Sequence, residues 1–332
     1  MLYSAAGGHF HFSLRVGTNN AKAVSNKPAV YILWKKIMTR KTKELVIEYI
    51  FFVFALVSVI VLGLIVFSLF REGLPLFGKV SVKNFLFGTE WYPTYDPPSF
   101  GIFPLIIGSL TVTLLATMIA VPLGVLTAIY ISEIAPQAIK EIVKSVIELL
   151  AGLPSVVLGF FGMVIVAPWL QDTFDLPTGL NIINAAVILA IMAIPTISSI
   201  SEDALYAVPR EFKEASYALG ATKFETIVKV IIPAAMSGIS TAVMLGMARA
   251  IGETMVVLMV AGGAAAIPES IFDPVRPMPA SIAAEMGEAP FRSAHYQSLF
   301  AIGIVLFFLT LLFNFIADYV SHKFRQVGSG TL

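Results

Sequence analysis

PREFKEASYALGATKFETIVKVIIP, residues 209–233, is a charged amphipathic stretch set between long apolar ones. Pro209 suits the first position of a helix, where a missing N–H costs nothing. Phe212, Ala215, Ala218 and Leu219 then recur at helical spacing, with Arg210, Glu211, Lys213 and Glu214 on the other faces. Gly220 ends that helix, since it takes a positive φ without steric cost. Thr222 and Glu225 have the spacing of a capping box and start a second short helix. Phe224, Ile227, Val228 and Ile231 give this second helix an apolar side. The expectation is helix, tight glycine turn, helix. Such a unit is too polar to cross a membrane and too apolar on one side to stay in water, so it wants a groove on a partner protein. An ordinary amphipathic helix pair lying on the bilayer is the alternative.

Outward from this stretch the chain is apolar. Its 332 residues are 57% hydrophobic and 13% charged, well above the roughly 45–50% apolar content of soluble domains. Six segments are long enough to cross about 30 Å of hydrocarbon, which takes about 20 residues. They are 46–70, 102–131, 146–170, 183–201, 234–261 and 299–320. The fold class expected is an all-α integral membrane protein with six transmembrane helices and a cytoplasmic loop at 209–233. Residues 1–45 read as a polar, basic cytoplasmic tail, 46–320 as the six-helix domain, and 321–332 as a cytoplasmic C-terminal tail. Met38 is an alternative start, and His9 and His11 in the tail read as bystanders rather than a metal site. Pro104, Pro122, Pro154 and Pro195 fall inside the expected spans, where freed carbonyls need other partners. Gly238, Gly246 and Gly252 in the fifth span permit close helix approach.

Lysine and arginine orient the chain. Lys35, Lys36, Arg40, Lys41, Lys43, Lys140, Lys144, Arg210, Lys213, Lys223 and Lys229 all fall on one side, whereas the opposite loops hold Arg71, Lys79, Lys83, Arg276 and Arg292. Both termini and the 209–233 loop are therefore expected in the cytoplasm of a cell with an inner or plasma membrane. Residues 71–101, with Trp91 and Tyr92, and 262–298, rich in proline, are the two large outer loops. They either meet an external protein or serve as spacers with interfacial aromatics.

Cysteine is absent, so disulfides and thiolate metal sites are excluded. The pair Gly78-Lys79 is followed by Val80 and lacks the glycine-rich lead-in of a phosphate-binding loop, and no H-E-x-x-H occurs. The chain is expected to hydrolyse no ATP itself, to bind no cofactor or metal, and to be no enzyme.

The fifth span holds Ala248-Arg249-Ala250-Ile251-Gly252-Glu253-Thr254. Arg249 and Glu253 are four apart, so they are expected to share one helix face. An arginine at the helix centre costs about 2.5–3.5 kcal/mol on insertion scales, so the pair is expected to face protein or a water-filled path. Either the two charges neutralise each other structurally, or Arg249 holds an anion. A guanidinium fork matches two oxygens of a phosphate or carboxylate. A neighbouring Glu253 weakens that field, which lets the anion leave, and offers an acceptor to a protonated oxyanion such as phosphate.

Two sets of motifs carry a resemblance. Glu214-Ala215-Ser216, Gly220 and Val230-Ile231-Ile232-Pro233 resemble the EAA loop of ABC importer permeases, with Ser216, Val230 and Ile232 as mild departures. Residues 248–254 resemble the R-A-I-G-E-T signature of the PstC-type phosphate permease family. Phe100-Gly101-Ile102-Phe103-Pro104, Glu148-Leu149-Leu150-Ala151-Gly152-Leu153-Pro154-Ser155-Val156 and Ile191-Met192-Ala193-Ile194-Pro195-Thr196 are also similar to it. The resemblance implies a permease that moves inorganic phosphate, driven by ATP and Mg on a separate subunit. It assigns Arg249, Glu253 and Thr254 to the substrate pathway. It assigns Glu214, Ala215, Ser216, Gly220 and Pro233 to coupling with the ATPase. The implied partners are a PstA-like second permease, a PstB-like ATPase homodimer, a PstS-like extracytoplasmic phosphate-binding protein and membrane lipid, with no nucleic acid. Glu148 begins a span in this reading, either lining the path or capping a helix. Other oxyanions, such as sulfate or molybdate, remain open as substrates, as does an ion-gradient-driven transporter using Glu253 as a proton relay.

Overall fold

The computed structural model describes residues 40–324. His9, His11 and most of the expected N-terminal tail lie outside the described residues, as does 325–332. In chain order the helices begin with α1 (Arg40–Gly73), α2 (Val82–Phe87) and α3 (Phe103–Ile129). Next come α4 (Gln137–Gly152), α5 (Ser155–Phe161), α6 (Ala167–Phe174) and α7 (Ile182–Tyr206). They end with α8 (Arg210–Ala218), α9 (Lys223–Thr226), α10 (Ile232–Ile251), α11 (Met255–Val260), α12 (Met278–Glu285) and α13 (Ala294–Phe324). A short antiparallel ribbon pairs β1 (Trp91–Tyr92) with β2 (Ser99–Phe100). Wide π turns at Tyr130–Ile134, Gly162–Val166 and Ile227–Ile231 extend α3, join α5 to α6, and join α9 to α10.

Six of the resulting rods are long and apolar enough to cross a membrane: Glu44–Gly78, Phe103–Ile134, Ser155–Phe174, Ile182–Tyr206, Lys223–Ile251 and Ala294–Ile316. The chain is thus a multi-pass membrane protein. It divides into two units, up to Gly63 and from Leu64 onward. In the first, the apolar side chains of α1 from Leu45 to Leu62 are exposed, as suits contact with lipid.

Within the second unit α7 is the centre. Of its most apolar window 67% is buried, against 0–33% for the other five spans. It packs chiefly on α3 and α10, and glycines set the approach. A Cβ on Gly124 would stand 2.8 Å from the Ile197 side chain, one on Gly246 2.7 Å from it, and one on Gly238 2.3 Å from Ala204 Cβ. Ile197 is therefore wedged between glycines of two neighbouring helices. Ser198 donates to the Gly124 carbonyl at 3.0 Å across the same contact. In lipid, where apolar burial brings no hydrophobic gain, such close backbone packing and polar links hold helices together.

Two expected spans are corrected. The third does not begin at 146. Leu153 is extended, as the residue before a proline prefers, and the break at Leu153-Pro154 separates the amphipathic α4 from the span. Glu148 lies on α4, outside the span, and Pro154 precedes α5 rather than bending a helix. The fifth span does not run unbroken from 234 to 261: α10 ends at Ile251, and residues 252–254 are irregular before α11. It also begins earlier, because α9 continues through the π turn into α10. Pro122 and Pro195 do lie inside α3 and α7.

Candidate functional site

The break after Ile251 rearranges the charges of the R-A-I-G-E-T stretch. Arg249 sits in the last turn of α10, not at a helix centre. Ser237, Thr241, Leu245 and Arg249 form one stripe of α10 turned away from the bundle, with Thr241, Leu245 and Arg249 exposed. The neighbouring stripe, Ala242, Gly246 and Ala250, is buried. Arg249 and Glu253 do not share a helix face. Instead the Glu253 carboxylate accepts the Met255 and Val256 N–H groups at 3.1 and 3.4 Å, capping the start of α11. Arg249 makes no salt bridge among the described residues. Each charge thus complements the nearer helix end, the cation at a C-terminus and the anion at an N-terminus. Thr254 donates to the Gly252 carbonyl at 3.3 Å. Irregular backbone within a span is tolerated where it is covered by protein or lines a water-filled path.

The 209–233 loop folds as a helix, a glycine turn and a second helix. Pro209 is extended and precedes α8 rather than starting it. Gly220 has φ +84°, and Ala221 N–H donates to the Ser216 carbonyl at 3.2 Å, closing α8. Thr222 and Glu225 form the reciprocal capping box. Ser216 is buried, and its hydroxyl meets that of Thr226 at 2.9 Å, tying α8 to α9. An alanine there would leave Thr226 without this partner. Ile227 and Ile231 pack inward on Ala128, Leu205, Val208, Ala235 and Ile239. Phe212, Tyr217, Leu219, Phe224 and Val228 are exposed, with Leu219 at 89%. The apolar side expected of both helices is therefore divided between the bundle and open surface. Pro233 is the second residue of α10, and Glu214 and Ala215 stand exposed on α8.

Sequence reasoning missed the ion pairs at this end of the bundle. Glu133, in the π turn after α3, receives Lys213 Nζ of α8 at 2.6 Å and the Ser132 hydroxyl at 3.1 Å. Glu202 of α7 is buried and receives Lys144 at 2.8 Å and Lys140 at 3.3 Å, both from α4. The hydrogen bond to Glu202 raises the Lys144 pKa above its ordinary value. Each partner lies tens of residues away in the chain, so no local spacing reveals it.

At the opposite end Glu285 collects Arg276 Nη1 at 2.7 Å, Trp91 Nε1 at 2.9 Å and His295 Nε2 at 2.8 Å. These residues border an open cavity of about 660 Å³ with Tyr92 and Gly263. The two large loops are therefore held to each other. Among the described residues no cluster of three His, Asp or Glu is placed to hold a metal.

Residues 120–326 match the family described as binding-protein-dependent transport system inner membrane component. The chain is 42% identical over 248 residues to the probable ABC transporter permease protein YqgH of Bacillus subtilis (strain 168), covering 75% of this chain and 80% of that one. It is 35% identical over 288 residues to the phosphate transport system permease protein PstC of Mesorhizobium japonicum, covering 80% and 86%. Among solved structures, a chain of a bacterial alginate ABC transporter in complex with an alginate pentasaccharide-bound periplasmic protein superposes with a TM-score of 0.61 at 15% identity. That match covers 87% of this chain and 99% of that one and shows a shared fold. Six spans, the polar helical loop between the fourth and fifth, and the family match over most of the helical domain together make this chain a member of the binding-protein-dependent transport system inner membrane components, the non-catalytic permease subunits of ABC importers.

Proposed function

We propose that the chain moves inorganic phosphate across the inner membrane as one of two permeases around a shared path. The observation that carries this reading is Arg249. It is a guanidinium without a salt-bridge partner among the described residues, set on an exposed stripe of α10 beside a break in the span. A cation in such a place suits a polar path closed by a second permease, because lipid would oppose it. Its fork matches two oxygens of a tetrahedral anion. Relatives named as phosphate transport system permeases at 30–35% identity, from several bacteria, support phosphate as that anion.

Glu253 takes a different role from a direct partner of Arg249. By capping α11 it holds the irregular turn, and with it the height of Arg249, while its charge keeps the anion from binding too tightly to leave. Thr254 belongs to the same turn. The loop at 209–233, with Glu214, Ala215, Ser216, Gly220 and Pro233, docks on an ATPase homodimer of the PstB type. Its exposed Phe212, Leu219 and Phe224 fit an apolar groove there. ATP and Mg stay on that subunit. A PstA-like permease completes the path, and a PstS-like binding protein delivers phosphate to the opposite face. Residues 1–45 and 321–332 flank the working domain in the cytoplasm.

The test is uptake by the four-component complex in vesicles. Arg249→Gln removes the charge and the guanidinium fork and leaves a shorter, neutral polar side chain. Phosphate uptake should fall at least tenfold, a loss of about 1.4 kcal/mol or more, with the ATPase still bound. Full transport by Arg249→Gln, or uptake of sulfate as readily as phosphate by the parent, would overturn the assignment.

A further inference from the structure

Among the described residues the loop helix α8 makes two side-chain polar links to other elements. Ser216 meets Thr226 a few residues along the chain. Lys213 reaches Glu133, 80 positions away, at 2.6 Å. The second link is half sheltered, with the lysine side chain 24% exposed and the carboxylate 9%. Ser132 donates to the same carboxylate oxygen and orients it.

Both links end at the same kind of backbone. Glu133 lies within the π turn that closes α3, and Thr226 stands immediately before the π turn that opens α10. A π turn widens a helix by one residue and interrupts its register, and such turns recur where helices do work. The helices they terminate, α3 and α10, are the two that flank α7. Arg249 is at the far end of α10.

An apolar pair would hold α8 in place as well as or better than a sheltered ion pair. What an ion pair adds is direction, because lysine reaches one oriented carboxylate and no neighbouring groove. We infer that Lys213 and Glu133 form a strut carrying movement of the loop to α3, so that α3 and α10 shift together when the ATPase closes. Both are positioning residues and touch no substrate. The inference rests on the ABC importer reading above, but not on phosphate as the cargo.

The experiment uses the complete complex in vesicles, with two readings: phosphate moved per ATP, and the rise in ATP hydrolysis when the binding protein is added. The variants are Glu133→Gln, Lys213→Gln, Lys213→Glu, Glu133→Lys and the double reversal. Glu133→Gln is nearly isosteric and guards against loss of folding by the reversals. Each single variant should retain the ATPase yet lower both readings about tenfold, within the usual 5–150-fold span of coupling between sites. The double reversal should recover most of that loss. A merely structural role would alter the yield of complex but leave both readings per complex unchanged. Unchanged readings in Glu133→Gln, or a double reversal no better than either single reversal, would overturn the strut. The second reading needs no particular anion. A parent that takes up no phosphate would therefore refute the cargo, while the strut is still judged on stimulated hydrolysis.

Discussion

Gly220 is the position where a small perturbation should separate backbone geometry from contact. Its φ is +84°, and a Cβ placed there would meet nothing within 4 Å. Gly220→Ala therefore adds no clash, and its whole cost is that of holding an L-residue in the left-handed region, about 1–2 kcal/mol. That corresponds to roughly a 5–30-fold change in the ratio of closed to open loop. Gly220→Asn should cost less, because asparagine enters this region more readily. Gly220→Pro adds two further losses. Proline is locked near φ −65°, and it cannot supply the N–H that Gly220 donates to Tyr217 O at 2.9 Å. A cost of about 3 kcal/mol or more is expected. The Ala221 amide, held by Ser216 O at 3.2 Å, reports closure of the turn. Hydrogen exchange across 215–226 should accelerate in the order Asn, Ala, Pro. In the assembled transporter, phosphate moved per ATP should fall in the same order, with proline uncoupling hydrolysis from uptake. Exchange in Gly220→Ala equal to the parent's would show that positive φ is not required. Exchange in Ala equal to that in Pro would show that something other than φ governs the turn. Either result refutes the reasoning.

Two further outcomes follow from the bundle. Glu253→Ala removes the cap of α11 and should destabilise that turn by about 0.5–2 kcal/mol, whereas Glu253→Gln keeps an oxygen for the Met255 and Val256 N–H groups. Exchange at those amides should therefore rise in Ala alone, while a change in phosphate-over-sulfate selectivity in both variants would isolate the charge; unchanged selectivity in Gln removes that charge from the argument. Gly246→Ala drives a methyl to 2.7 Å from Ile197 and should cost about 1–3 kcal/mol, as overpacking does. Ile197→Val should relieve part of this, read as recovery of the thermal midpoint of the complex in detergent.

Much of the 209–233 loop was legible locally. Its glycine turn is closed by backbone bonds and its capping box by side-chain-to-backbone bonds, all spanning three to five residues, and these are written in the spacing of Gly220, Thr222 and Glu225. The six apolar rods were legible for a similar reason, since length and hydropathy are properties of contiguous residues. Boundaries fared less well. Hydropathy cannot distinguish α4 from the span that follows, although the pair Leu153-Pro154 held the signal. The break at Gly252 carried a weaker one, because glycine is equally at home in close helix packing, as Gly246 shows. The unbroken helix expected there placed Arg249 and Glu253 on one face, and the interrupted backbone sends them to separate helix ends. Ser216 read as a mild replacement for alanine, whereas its buried hydroxyl partners Thr226.

By itself, then, the amino-acid order determined a six-span permease with a polar helical loop between its fourth and fifth spans and an arginine within the fifth. Each of those rests on residues near one another along the chain. Only the tertiary structure decided which carboxylates the lysines at the loop end of the bundle meet, how Ile197 seats between two glycines, and what Glu285 gathers from Trp91, Arg276 and His295. The reason is physical: an ion pair, a wedge or a polar knot forms between groups brought to within a few ångströms by folding, and that closeness has no counterpart in chain separation.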